Sequence, residues 1–242
     1  MNLWHKHAAT LALLACFLVS SCLDVREEIW IRADASGAAR ITVSAPAVAA
    51  SIHGGEDGVK KLIADFMAET PEFTSHVIKT RTEQGRLHID VSATLSNAMD
   101  LAGVASGPTI EKLPATGVEL MGKAEVNLRG LDIDFKRIAE FSKVLPGAGF
   151  IPKSQLDGYS VTTIIHLPNV ATSHNATNTM NKGHTLVWKT TLASALSRPT
   201  VNAFTMPLPI PWLLIGFVTL LLAILIAVLC RYLIRRRRAR IV

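Results

Sequence analysis

Between Leu23 and Leu229 the chain has no cysteine; its three thiols are Cys16, Cys22 and Cys230. No disulfide can therefore brace the middle of the protein, and no Cys-x-x-Cys pair offers a zinc or dithiol site. A segment this long can bury enough core to fold without such staples. Acidic residues are missing from both ends: all 19 lie between Asp24 and Asp157. Charged residues make up only 18% of the 242 positions, too few and too mixed in sign for a disordered or fibrous chain. Also absent are His-Glu-x-x-His, the complete phosphate-binding Gly-x-x-x-x-Gly-Lys-Ser/Thr loop, Gly-x-Gly-x-x-Gly and the Gly-x-Ser-x-Gly elbow. The short-range signatures of zinc hydrolases, nucleotide binders and α/β hydrolases are thus excluded.

What charge there is has a pattern. The formal net charge is +6, yet Leu23 to Met206 holds 18 Lys and Arg against 19 Asp and Glu, a net of −1. The excess sits at Lys6 and at Arg231, Arg235, Arg236, Arg237, Arg238 and Arg240. A near-neutral middle gives no support to a nucleic-acid surface, and no nucleic-acid partner is expected.

The N-terminus combines Lys6 with an apolar run from Ala8 to Val19, which is signal-peptide anatomy and too short for a membrane span. It closes on Val19-Ser20-Ser21-Cys22, a sequence that resembles the lipobox of bacterial lipoproteins. That resemblance implies cleavage before Cys22, acylation of its thiol and anchoring by the acyl chains. An ordinary signal peptide or an uncleaved anchor are the other readings. At the other end, Leu208 to Cys230 carries no charge. Trp212 and Tyr232 flank it where amphipathic rings favour the interface, and the arginine block follows as a cytoplasmic anchor. The expected organisation is a signal peptide over 1–21, an extracytoplasmic domain over 22–206, a transmembrane helix over 208–232 and a basic cytoplasmic tail over 233–242. The partner this predicts is the cytoplasmic membrane, gripped at both ends.

In the middle, Leu23, Val25, Ile29, Ile31 and Ala33 alternate with charged residues and Trp30, and Ala39 to Ala45 alternate again after Asp34-Ala35-Ser36-Gly37. This predicts a hairpin, with Gly37 free to take positive φ. Val59, Leu62, Ile63, Phe66 and Met67 fall at helical spacing behind Glu56 and Asp57 and predict a helix packed on a sheet. A second hairpin turns at Glu83-Gln84-Gly85, and Ser96 can cap a short helix over 97–104 before a loop over 106–119. A parity shift between Leu128 and Leu131 predicts a β-bulge at Gly130. Phe135, Ile138, Phe141 and Leu145 predict a helix from Asp134. Strands over 159–167 and around Leu186 and Trp188 complete an α+β fold with a largely antiparallel sheet and two or three packed helices.

Chemistry is sparse. His53, His76, His88, His166, His174 and His184 show no metal-ligand spacing, and no metal or cofactor is expected. The nearest approach to one, His166, His174 and His184, fits no template. Asp132 and Asp134 share one side of a strand, as a solvated face would arrange them. Asn175-Ala176-Thr177 spells a glycosylation sequon with no evident meaning behind a bacterial lipobox.

The segment Leu167-Pro168-Asn169-Val170, then Asn175-Ala176, then Leu186-Val187-Trp188-Lys189 and Leu192, resembles the closing motif of the LppM-type (DUF3153) bacterial lipoprotein family. The lipobox Cys22, the strand that follows at once, and the Asp34 to Gly37 turn agree with it. Asn169 stands where that family more often has glycine. The resemblance implies an α+β extracytoplasmic domain followed by one membrane helix and a basic tail. For the mycobacterial member it implies binding of cell-envelope lipids. The expected function is a non-catalytic, membrane-tethered module for a lipid, glycolipid or envelope component. The alternatives are a structural subunit contacting other membrane proteins and a hydrolase with dispersed residues.

Overall fold

The computed structural model describes residues 23–51, 54–68, 70, 73–98, 122–144, 156, 158–210 and 212–238. β1 (Asp24–Ile31) and β2 (Gly37–Pro46) form the expected antiparallel hairpin, with Ile29 opposite Ala39 and Val25 opposite Val43. Its turn corrects one detail. Ala35, not Gly37, takes the left-handed backbone, at φ 65°. Asp34 Oδ1 accepts from the Ser36 amide at 3.0 Å and from the Ser36 hydroxyl at 2.7 Å, which closes the turn through the side chain. Gly37 instead keeps a close approach open: a Cβ there would lie 3.0 Å from Ala98 Cβ and 3.1 Å from the Trp30 carbonyl oxygen, close enough that a neighbour would have to shift by a few tenths of an ångström.

α1 (Ala47–Ser51) and α2 (Gly55–Ala68) follow, and α2 carries the expected stripe against β3 (Phe73–Glu83). Met67 is buried and Phe66 meets Phe73 edge-on at 6.4 Å, while Leu62 stays exposed. β3 pairs with β4 (Arg86–Leu95) through a two-residue turn in which Gln84 and Gly85 both have positive φ, matching strand twist. The helix expected from Ser96 does not start there: Asn97 and Ala98 are non-helical, and the Ala98 amide returns to the Ala35 carbonyl at 2.7 Å. The rest of that helix and the loop over 106–119 lie outside the described residues.

Two expectations fail in the next segment, for a common reason. β5 (Lys123–Arg129) and β6 (Asp132–Ala139) form a hairpin with Arg129 opposite Asp132, so the parity shift marks a chain reversal at Gly130 and Leu131 and not a bulge. Reflection about that turn sets Val126 opposite Phe135 and Leu128 opposite Ile133, which carries even positions onto odd ones. The helix expected from Asp134 is strand β6, and only Phe141–Val144 (α3) is helical. Ile133, Phe135 and Ala139 do alternate, but Arg137 occupies an inward position and breaks the apolar pattern.

β7 (Ser160–His166), β8 (Ser173–His174), β9 (Asn178–Met180), β10 (Thr185–Thr191), the short α4 (Leu192–Ser197) and β11 (Thr200–Pro207) complete the domain. β11 was not anticipated, because Asn202 sits in its buried row with Phe204 and Met206. The fold is α+β in two sheets: seven strands ordered β3-β4-β2-β1-β7-β10-β9, and four ordered β5-β6-β11-β8. β1 and β7 run parallel, and every other pairing among the described residues is antiparallel. The sheets face each other across Ile29, Ile165, Leu186 and Trp188 from the larger and Ile133, Phe204 and Met206 from the smaller. Phe135 and Phe204 stack at 5.0 Å within that layer. A second cluster of Val161, Ala139, Phe141, Leu156, Leu192 and Ala195, with Leu23 against it, closes one end.

The chain divides into two units, Met1–Leu208 and Pro209–Val242. In the second, α5 (Trp212–Arg238) is a continuous 27-residue helix without charge before Arg231. Its described side chains, 215–227 and Arg231, are exposed. Among the described residues no helix is long and apolar enough to cross a membrane.

Candidate functional site

The lipobox Val19, Ser20, Ser21 and Cys22 lies outside the described residues, as does Arg240. Arg231, Arg235, Arg236, Arg237 and Arg238 fall in the last turns of α5. Where the folded domain meets these two segments is fixed. Leu23 packs into the cluster at the Val161 end of β7, one residue from the candidate acylation site. Pro207 closes β11 at the opposite end, where the Leu208 amide bonds the Leu131 carbonyl at 2.7 Å and Asn169 Nδ2 bonds the Pro207 carbonyl at 3.0 Å.

The motif residues come together, as structural joints. Leu167 is buried in the inter-sheet core, and its backbone amide bonds the His184 carbonyl at 2.7 Å. Asn175 Oδ1 accepts from Trp188 Nε1 at 2.7 Å and from the Ala203 amide at 2.8 Å, while its Nδ2 donates to the Val201 carbonyl at 2.8 Å. One side-chain amide thereby links β10 of the larger sheet to β11 of the smaller. This engagement uses the same amide that the sequon spelling would modify. Asn169 does not take positive φ, so the position needs no glycine, and its side chain secures the β11 exit. Pro168 is half-buried and Val170 is exposed, with Val170 Cγ1 filling the space in which a Cβ on Gly183 would stand.

The groups that the sequence reading missed lie back to back on β1. Glu27 shares the inward parity of Val25 and Ile29 and receives Arg137 Nη1 from β6 across the seam; their side chains are only 13% and 11% exposed. Thr163 Oγ1 adds a bond to the same carboxylate oxygen at 3.3 Å. The available signal was two opposite charges at core-parity positions of separate strands.

Glu28 points to the other face. Its Oε1 meets His166 Nε2 at 2.8 Å, His166 Nδ1 meets Thr185 Oγ1 at 3.1 Å, and Asn181 Nδ2 donates to that hydroxyl at 2.9 Å. Trp30 stacks on the imidazole at 5.1 Å with the planes 9° apart. The chain of donors Asn181, Thr185, His166, Glu28 is consistent when the imidazole proton resides on Nε2. Partial burial pushes the Glu28 carboxyl upward, but its bonds with His166 and Arg26 outweigh this and hold it below the ordinary glutamate value. Farther along, Arg40 grips Asp90 through two bonds of 2.9 and 2.5 Å, which hold the Asp90 carboxyl low against a smaller effect of burial.

Glutamate, histidine and a hydroxyl in a row have the composition of a hydrolytic triad. The Thr185 residue is only 2% exposed and its oxygen is already engaged by Asn181, so it is not presented as a nucleophile. Of the other histidines, His174 and His184 bond elsewhere, and His53 lies outside the described residues. His174 Nδ1 takes the Ala176 amide at 3.2 Å, and His184 Nδ1 lies 3.2 Å from the Leu167 carbonyl. Among the described residues no three His, Cys, Asp or Glu side chains converge as a metal site. Asp134 is taken by Arg129 at 2.8 Å and by Thr205 Oγ1 at 2.7 Å, tying the β5–β6 turn to β11.

No family model matches the chain, and no curated protein sequence does. Among solved structures it is similar to the folded domain of the Mycobacterium tuberculosis LppM protein, determined by NMR. That match has a TM-score of 0.52 at 13% identity and covers 79% of this chain and 93% of that one. A zinc metallopeptidase of the M1 class from Deinococcus radiodurans shares 9% identity at a TM-score of 0.26, covering 78% of this chain and 45% of that one, too distant to bear on the fold. The domain has an LppM-like fold.

Proposed function

We propose that this chain is a membrane-tethered bacterial lipoprotein whose extracytoplasmic domain binds a lipid, glycolipid or other envelope component without catalysis. The observation that carries the reading is the LppM-like two-sheet fold, spanning 93% of the mycobacterial domain. The lipobox cysteine before its first strand and the arginine-closed apolar segment after its last supply the two tethers. The polar groups support a binding role over a catalytic one. Glu27 and Arg137 are spent on joining the sheets, and the Glu28, His166 and Thr185 chain ends in a buried hydroxyl.

The test is extraction of the full chain from bacterial membranes into nanodiscs, with mass spectrometry of what accompanies it. Selective retention of one envelope lipid class over bulk phospholipid is expected. If no class is enriched and none binds on titration, the lipid reading fails. Metabolic labelling with an acyl analogue tests the tether: label on the native chain and none on Cys22→Ser is expected, and label persisting on the variant refutes acylation at that site.

A further inference from the structure

The two tethers leave the folded domain from opposite ends. Leu23 and Asp24 sit at the end built by Val161, Ala139 and Leu192, where Thr200 opens β11 opposite Ala139. Pro207 ends β11 opposite Asp132, at the end built by Ile133, Leu167 and Met206. The eight residues of β1 put these ends roughly 23 Å apart at about 3.3 Å per residue. Slack at either tether is smaller. Cys22 to Asp24 can span at most about 7 Å, and Leu208 to Trp212 about 14 Å even when fully extended. Prolines at 209 and 211 stiffen the second segment. A domain standing on its Pro207 end would hold Cys22 at least about 16 Å above the interface and draw most of the length of its acyl chains out of the bilayer.

The Pro207 end also carries apolar surface that stays exposed among the described residues. Leu128 and Leu131 flank the β5–β6 turn and are 65% and 59% exposed, and the Leu131 carbonyl is held by Leu208 where the chain leaves the fold. Two exposed leucines fixed within about 14 Å of chain from Trp212 lie within reach of the headgroup layer.

We propose that the domain lies along the bilayer with its strands near the membrane plane, pressing the Leu128–Leu131 turn into the lipid interface at one end and holding the Leu23–Asp24 end down through Cys22. The inference rests on the double tether proposed above. The occupant of the exposed leucines is a lipid surface, argued from the short, stiff chain that joins them to α5.

The test uses the full chain with Cys230→Ser and single added cysteines carrying an environment-sensitive fluorophore. Vesicles of phosphatidylcholine and phosphatidylglycerol contain a lipid spin-labelled near its headgroup. Leu131→Cys reports the turn, and Lys189→Cys reports the Asp24 end, since Lys189 pairs with Thr162 and Thr162 with Arg26. Val77→Cys and Met180→Cys mark opposite edges of the seven-stranded sheet, so a domain resting on one edge lifts the other. Severalfold stronger quenching at Leu131 and Lys189 than at the less quenched edge is expected. Adding Cys22→Ser should release Lys189 and leave Leu131 quenched. Quenching at Leu131 without Lys189 in the acylated protein overturns the recumbent posture, and equal quenching at all four sites overturns any specific contact. Failure of the tether itself reads differently. A chain without an added cysteine that still takes the fluorophore has a free Cys22 or an uncleaved segment carrying Cys16, either of which breaks the first tether, and a fluorophore at Ile224→Cys that escapes a deep acyl-chain quencher places α5 outside the bilayer.

Discussion

Glu27 and Glu28 are consecutive residues of one strand, yet they occupy opposite chemical worlds. Glu27 lies between the sheets against Arg137, both nearly withdrawn from water. Glu28 lies on the open face of the larger sheet, where its 20%-exposed side chain shares a bond with a 27%-exposed His166. The strand's period of two imposes the difference. It teaches that equal-looking ion pairs have unequal consequences: breaking the inner one strands a charge in the core, while breaking the outer one hands its partner to solvent.

The largest effect should therefore come from the inner pair. Arg137→Ala leaves Glu27 buried and uncompensated and is expected to lower stability by about 3–5 kcal/mol. Replacing both partners, Glu27→Leu with Arg137→Met, should recover most of that loss or exceed the native stability by about 1–4 kcal/mol. Urea unfolding of the full chain in detergent micelles, followed by tryptophan emission, reads both. A double variant as unstable as the single one would show that the pair contributes more than mutual neutralisation.

Asn175 comes next. It bridges the same two sheets without charge, and Asn175→Ala strips partners from Trp188 Nε1 and the Ala203 amide. A loss of about 1–3 kcal/mol is expected from unsatisfied groups at this seam. A loss approaching that of Arg137→Ala would erase the distinction between charged and neutral joints.

These seam residues also mark where the sequence was legible. The β1–β2 and β3–β4 hairpins, α2, β7 and β10 follow from alternation, turn residues and a helical stripe, although Glu27 breaks the inward row of β1 between Val25 and Ile29. Legibility ended in β6 and β11. Arg137 broke the alternation of β6 and left Phe135, Ile138 and Phe141 to mimic a helix, and Asn202 did the same service in hiding β11. Long-range pairing is the missing information: nothing local to Arg137 announces a carboxylate 110 residues earlier in the chain. The closing motif was legible as letters, but that Asn175 and Trp188 form a joint between sheets required the register of β10 and β11. Nor did the sequence show that Leu23 and Pro207 lie at opposite ends of the domain, which required the pairing of β1 with β7 and of β11 with β6.

The outer face should respond less, and with pH. Arg40→Met is expected to cost little, since Arg40 is half exposed and Asp90 remains in reach of water. Glu28→Gln should cost no more than about 1 kcal/mol. The folded-state pKa values of Glu28 and Asp90 are both depressed, Asp90 chiefly by Arg40 and Glu28 by His166 and Arg26 against the effect of burial. Depressed carboxyls contribute stability that is fully present above their unfolded values, near 4, and lost as pH falls through the lower folded values. The native chain should therefore lose stability progressively on acidification below about pH 4–5. Glu28→Gln should flatten part of that acid limb by lowering the plateau above about pH 5 slightly and converging with the native chain at the acid end, while Arg137→Ala should lower the whole curve. An acid limb unmoved by Glu28→Gln would mean that the His166 contact contributes nothing in solution, and the contrast between the two faces of β1 would then rest on the inner pair alone.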